Sequence, residues 1–115
     1  MAVIFDLDGT LIKKGVQPNP KMIALCNNTP DAYIITGRPE KDRPQTVQLL
    51  RKYGIRYKKL LMNTMTNDAM GQIQSKRMNA QHVMQQAGNV TMAVDDDPAA
   101  RILYQKIGIS NVTGP

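Results

Sequence analysis

The sequence predicts an α/β protein with a mostly parallel sheet, and three observations carry that prediction. Short apolar, β-rich runs alternate with stretches at helical spacing, the pattern of successive βαβ units. Helix punctuation falls between those runs: Pro20 and Pro98 stand where helices open, and Gly54, Gly88 and Gly108 where they close. At 115 residues, with 42% apolar residues, the chain suffices for one core and one domain, residues 1–115.

Each element follows from its local text. AVIF (2–5) is a fully apolar run and reads as a buried strand. PKMIALCNN (20–28) is a short helix opened by Pro20. AYII (32–35) is the second strand. From Glu40 to Tyr53 the residues Val47, Leu50 and Tyr53 form a stripe, so the spacing predicts a helix stopped by Gly54. KLLM (59–62) is the third strand, followed by a polar loop containing Asn63, Asn67 and Gly71. A helix is predicted from Ile73 to Ala87, with Ile73, Ala80, Val83, Met84 and Ala87 on one face. VTMAV (90–94) is the fourth strand, Pro98–Ile107 a short helix, and ISNV (109–112) a small edge strand. The chain contains no internal repeat, low-complexity tract or linker.

Composition narrows the setting. No apolar run approaches the roughly 18 residues that cross a bilayer, and no secretory signal opens the chain. The single cysteine, Cys26, excludes an intrachain disulfide and fits a reducing compartment, so a soluble cytoplasmic protein is expected. Of the nine acidic residues, five (Asp6, Asp8, Asp95, Asp96, Asp97) sit in two tight clusters. The 15 Lys and Arg therefore face only four other acids: Asp31, Glu40, Asp42 and Asp68. This is a basic surface around a concentrated acidic spot, suited to a phosphate-rich partner and a cation.

In an open parallel sheet, ligands bind beyond the carboxyl ends of the strands. Asp6 and Asp8 follow the first strand, Thr36-Gly37-Arg38 the second, and Asp95-Asp96-Asp97 the fourth. Parallel strands would bring Asp6 beside Asp95 and Asp96 across about 90 residues of sequence. Carboxylates so crowded raise one another's pKa unless a cation neutralises them. An all-oxygen ligand set favours a hard ion such as Mg²⁺; His82 and Cys26 lie apart on helices, which argues against zinc. A carboxylate can also be a nucleophile toward phosphorus, with Thr36 as a hydroxyl donor and Gly37 allowing close backbone approach.

DLDGT (6–10), TGR (36–38), a lysine early in the 73–87 helix and AVDDDP (93–98) resemble, in order and strand context, the four motifs of the haloacid dehalogenase-like phosphohydrolases. The resemblance spans most of the chain. It implies a three-layer Rossmann-like fold and a Mg²⁺-dependent phosphomonoester hydrolase working through an aspartyl-phosphate. Residue by residue, Asp6 corresponds to the nucleophile, Asp8 to the general acid/base, and Thr36 and Lys76 to the groups that hold the phosphoryl oxygens. Asp95 and Asp96 correspond to the acidic pair that binds Mg²⁺ with the Asp6 carboxylate and the Asp8 carbonyl. Gly9, Thr10, Gly37 and Arg38 would line the phosphate pocket. Lys76 is preferred over Arg77 because it shares the stripe of Ile73 and Ala80. Asp97, directly before Pro98, reads as an N-cap rather than a ligand.

Neither cap position of that superfamily has room for a cap domain: residues 11–19 allow only a flap, and 38–76 are used up by one helix, one strand and a loop. An open crevice is therefore expected. The text around the second and fourth motifs is similar to the 3′-phosphatase domain of polynucleotide kinase/phosphatases, although no GxxxxGK[ST] kinase motif occurs and Asp97 stands where that family has a basic residue. This similarity implies action on nucleic-acid 3′-phosphate ends or nucleotides, with Lys13, Lys14, Arg38, Lys41 and Arg43 as candidates for phosphate contact. The alternatives are another small phosphoester or a phosphate-binding protein without turnover.

Overall fold

The computed structural model describes residues 1–13 and 17–115. The elements are β1 (Ala2–Phe5), β2 (Ile12–Lys13), β3 (Gln17–Pro18), α1 (Pro20–Asn27), β4 (Asp31–Pro39), α2 (Arg43–Lys52), β5 (Lys59–Asn63), α3 (Ala69–Ala87), β6 (Val90–Val94), α4 (Pro98–Lys106) and β7 (Val112–Thr113). Five strands form one all-parallel sheet in the order β5-β4-β1-β6-β7, and β2 and β3 pair as a small antiparallel hairpin.

Strand periodicity divides the core into two layers. Val3 and Phe5 of β1 and Ile34 of β4 face Met22, Cys26 and Leu50, the buried apolar residues of α1 and α2. Ala2 and Ile4 of β1 and Tyr33 and Ile35 of β4 face Ala80 and Val83 of α3 and Ala100, Leu103 and Tyr104 of α4. Successive strand residues point to opposite faces, and here both faces are covered, which is why the strands read as continuous apolar runs rather than alternating ones. The result is the expected three-layer α/β architecture, with no cap over the sheet's carboxyl edge among the described residues.

Several boundaries differ from the sequence prediction. The helix expected from Glu40 is a single 3₁₀ turn over Glu40–Asp42, closed by the Arg43 N–H on the Glu40 carbonyl, and α2 proper starts at Arg43. Pro44 has no N–H to donate back to Glu40, so the α-helical ladder cannot run through this turn. Helix α3 starts at Ala69, not Ile73. Asp68 caps it by accepting the Gly71 N–H at 2.7 Å, and Gly71, assigned to the loop from its sequence, lies inside the first turn against Thr66. The last strand is Val112–Thr113, sharing only Val112 with the predicted ISNV; Ile109 is buried and bonded to the end of α4 through Tyr104 O. Of the flap expected over 11–19, the described residues form the antiparallel pair β2 and β3, and residues 14–16 lie outside the described residues.

Two features position the site. The chain winds outward from β1 through β4 to β5, then crosses back to place β6 on the other side of β1. Where an α/β sheet reverses direction like this, the adjoining loops part and leave a crevice. In addition, Ile35 pairs with Leu61 but Pro39 with Asn63, so β4 carries two extra residues between these points. Thr36, Gly37 and Arg38 occupy that irregularity, inside the extent of β4 rather than after it. Such bulges re-aim side chains beside functional sites.

Candidate active site at the carboxyl edge of the sheet

Asp6 leaves β1 at the crevice, its N–H still bonded to Val94 O at 2.9 Å. The carboxylate is buried and accepts from Lys76 Nζ through Oδ1 (3.1 Å) and from the Thr10 hydroxyl through Oδ2 (3.3 Å). Lys76 Nζ also donates to Asp95 Oδ2 at 2.7 Å, while Asp95 Oδ1 takes the Asp97 N–H at 3.0 Å. Asp95 is further anchored by Arg101, whose Nη1 donates to the Asp95 carbonyl at 2.9 Å. One ammonium thus stands between two carboxylates, all three groups removed from water.

The electrostatics follow from that burial. Desolvation pushes the Asp6 carboxyl well above the ordinary aspartate range; Lys76 opposes this, and the neighbouring Asp95 adds to it. The Asp95 carboxyl is likewise raised, by burial against the pull of Lys76. Burial works against the Lys76 charge, but Asp6 and Asp95 outweigh it and hold the ammonium above the usual lysine range. A single positive charge facing two buried carboxylates leaves the cluster short of compensation.

Oxygen atoms of Asp6, Asp95 and Asp96 lie within 4.8 Å of one another. Gly9 makes the approach of Asp96 possible: its φ of 88° is left-handed, and a Cβ there would lie 2.1 Å from Asp96 Oδ2. A hard divalent cation fits this donor set, which is entirely carboxylate oxygen and deficient in positive charge. The Asp8 carboxylate is not part of this set. Its two oxygens accept from Arg38 Nε and Nη2, both at 2.8 Å, in a bidentate pair, and the bond from Asp8 keeps the Arg38 guanidinium above its ordinary pKa. Arg38 Nη1 also reaches Thr46 Oγ1 at 3.5 Å, and Thr46 is fully buried. Thr36 is buried, and its hydroxyl oxygen accepts the Arg38 N–H at 3.1 Å, so its proton is free to donate.

Asp6, Asp8, Thr36, Gly37, Arg38, Lys76, Asp96 and Asp97 share one depression of about 340 Å³, together with Pro39, Asn67 and Gln72. Of the other predicted residues, Asp95 and Thr10 do not line it but are buried behind it, bonded to Lys76 and to Asp6, and Gly9 and Lys41 are not among its lining residues. Asp97 also caps α4, accepting the Ala99 N–H at 3.0 Å, as its position before Pro98 predicts. Of the basic candidates, Arg43 does not join the depression. Its guanidinium is held by Glu40 and by the Leu60 carbonyl at the β5 edge, where it lines a separate groove. Lys13 lies on β2, and Lys14 falls outside the described residues.

Asn67 and Gln72 were missed. Gln72 packs over Gly37, where a Cβ would lie 2.6 Å from its Oε1, and its amide nitrogen donates to Asn67 O at 3.0 Å. The signal was available: Gln72 is four residues before Lys76 and so shares its helix face, but the late helix start assigned from the sequence left it in a loop.

Fold and site together define an α/β protein with an acidic crevice at the switch point of its sheet. No protein-family model matches the chain, and no curated protein matches it. Among solved structures it is similar to a chain of the Pnkp1/Rnl/Hen1 RNA repair complex, with a TM-score of 0.70 and 21% identity over 99% of this chain and 42% of that one. A second structure of the Pnkp1/Rnl/Hen1 complex gives the same TM-score and identity, with 46% of its chain covered. The likeness establishes the fold, and this chain spans less than half the length of those chains.

Proposed function

We propose that the protein is a Mg²⁺-dependent phosphomonoester hydrolase of the haloacid dehalogenase-like type, acting on phosphorylated nucleic-acid ends or nucleotides. The observation that carries this reading is the convergence of Asp6, Lys76, Asp95 and Asp96 within one crevice, with the Thr36 hydroxyl on the adjacent strand. Asp6, Asp95 and Asp96 would hold the ion, which when bound neutralises the carboxylates and the charge of the transferring phosphoryl group.

The residues divide the chemistry as follows. An Asp6 carboxylate oxygen attacks phosphorus and forms an aspartyl-phosphate as the bond to the leaving oxygen breaks. Asp8, entering the step in its protonated form, gives that oxygen its proton, and as a carboxylate then takes one from the water that attacks phosphorus and frees Asp6, which restores the acid. Each Asp8 oxygen keeps a second lone pair beyond its bond to Arg38, so the pairing orients the carboxyl without saturating it. Lys76 fixes the attacking carboxylate, and the Thr36 proton is available to a phosphoryl oxygen.

The substrate class rests on different grounds: the open depression, the surplus of 15 Lys and Arg over nine acids, and a fold shared with a chain of an RNA repair complex. Hydrolysis of an aryl phosphate should require Mg²⁺, cease with EDTA and fall about a thousandfold or more in Asp6→Asn. No metal-dependent turnover in the wild type would sink the assignment. On a panel of 3′-phosphorylated oligonucleotides, nucleoside monophosphates and sugar phosphates, oligonucleotides should be preferred, and the preference should shrink with added salt. Equal rates at all salt concentrations would remove nucleic acid as the substrate class.

A further inference from the structure

From Arg43 to Val94 the chain holds one acidic residue, Asp68, against eight Lys and Arg. Helix α2, strand β5 and helix α3 all come from this stretch, and β5 is an outer strand of the sheet. Along β5 runs a groove of about 570 Å³, lined by Leu60 and Met62 of the strand, by Glu40 and Arg43, and by Met78 and His82 of α3. It continues into a hollow of about 300 Å³, because Lys59 and His82 line both. Lys58 links that hollow to a third, which Arg56 and Tyr57 also line. At its other end the groove adjoins the acidic crevice: Pro39 lines the crevice, and Glu40, the next residue, lines the groove. Two acids border this path, and each is ion-paired, Glu40 with Arg43 and Asp31 with Lys58. Lys59 and Arg56 are exposed, and neither side chain forms an ion pair among the described residues.

We propose that this path along β5 carries a single polynucleotide strand whose phosphorylated end lies in the crevice, with Lys59 and Arg56 contacting its backbone phosphates. An apolar lining bordered by cations matches the two sides of such a strand. The bases offer flat apolar faces to Leu60, Met62, Met78 and the Tyr57 side chain, and the phosphates meet the cations. The exposed Arg43 and Lys58 pairs can exchange a carboxylate for a phosphate at small cost, since water already screens them. A lysine on an edge strand also discourages pairing with another chain, but a glutamate would serve that purpose equally well. The placement of the strand's end rests on the proposed function, whereas the attraction of the groove for a polynucleotide does not.

The test is fluorescence anisotropy of a labelled decathymidylate with hydroxyl ends, titrated with the protein in EDTA. The wild type should bind it with an affinity that falls as salt rises. Lys59→Gln should flatten the slope of log K against log salt by about 0.7, and Lys59→Glu should weaken binding about tenfold. Lys106→Glu makes the same charge change on α4, which packs beside β7 at the opposite edge of the sheet. At about 0.15 M salt, where charges act over roughly 8 Å, it should weaken binding less than about twofold. The proposal is overturned if the wild type does not bind, if Lys59→Glu binds as tightly as wild type, or if Lys106→Glu loses as much. It is equally overturned if a polyglutamate of the same length competes as well as the polynucleotide. This strand carries no phosphomonoester and no metal is present, so a protein that binds it but hydrolyses nothing keeps the groove and loses only the proposed reaction.

Discussion

Lys76 and Arg38 both bind carboxylates in the same crevice, Lys76 two of them out of reach of water and Arg38 one largely in it. The Lys76 side chain is 8% exposed, with Asp6 and Asp95 at 5% and 0%; Arg38 and Asp8 are 28% and 51% exposed. In the first system the charges cannot be solvated, so each depends on the others, and removing one strands the rest. In the second, water can replace either partner, and the bidentate geometry contributes orientation more than energy. The contrast suits a division of labour. The buried cluster keeps Asp6 fixed and short of positive charge, while the exposed pair orients Asp8 where water still reaches it.

The contrast breaks first at Lys76. Lys76→Met leaves two buried carboxylates without a counter-charge and should cost about 3–5 kcal/mol in urea unfolding. The pH dependence has a definite sign. The raised carboxyls of Asp6 and Asp95 bind protons in the folded state at pH values where the unfolded chain has released them. Stability therefore rises as pH falls through the raised pKa values, and the Lys76→Met deficit should be smaller at pH 5 than at pH 8. A deficit that grows on acidification would contradict the charge assignment.

Mg²⁺ probes the same deficiency from the other side. An ion bound by the folded protein alone should stabilise it by about 2.7 kcal/mol at a hundred times its Kd, read as a rise in Tm. The rise should vanish in Asp95→Asn and weaken on acidification, because protons compete for the raised carboxyls. Arg38→Gln sharpens the opposite half of the comparison: stability should change by less than about 1 kcal/mol, while turnover falls about tenfold or more as Asp8 loses its orientation. The exposed Asp31–Lys58 pair, bonded at 3.1 Å at the other end of the sheet, marks the lower limit. Lys58→Ala should leave Tm unchanged within error.

Much of this is legible in the sequence. The four main strands lie where AVIF, AYII, KLLM and VTMAV predict them, because a strand buried on both faces must be apolar throughout. Lys76 was separable from Arg77 by its helical spacing to Ile73 and Ala80, and Asp97 was recognisable as a cap from Pro98. The errors cluster at boundaries. The early start of α3 depends on an Asp68 cap and on Gly71 fitting against Thr66, and the 3₁₀ turn at Glu40 on one missing N–H at Pro44.

The sequence by itself determined the α/β class and the supply of carboxylates, hydroxyl and lysine at strand ends, because composition, periodicity and spacing are local properties. Only the tertiary structure decided that β1 lies between β4 and β6, that Arg38 is spent on Asp8, and that Lys76 serves two aspartates at once. Each of these depends on strand order and burial, which join residues 19 to 70 positions apart and are set by packing the whole core rather than by any short stretch of chain.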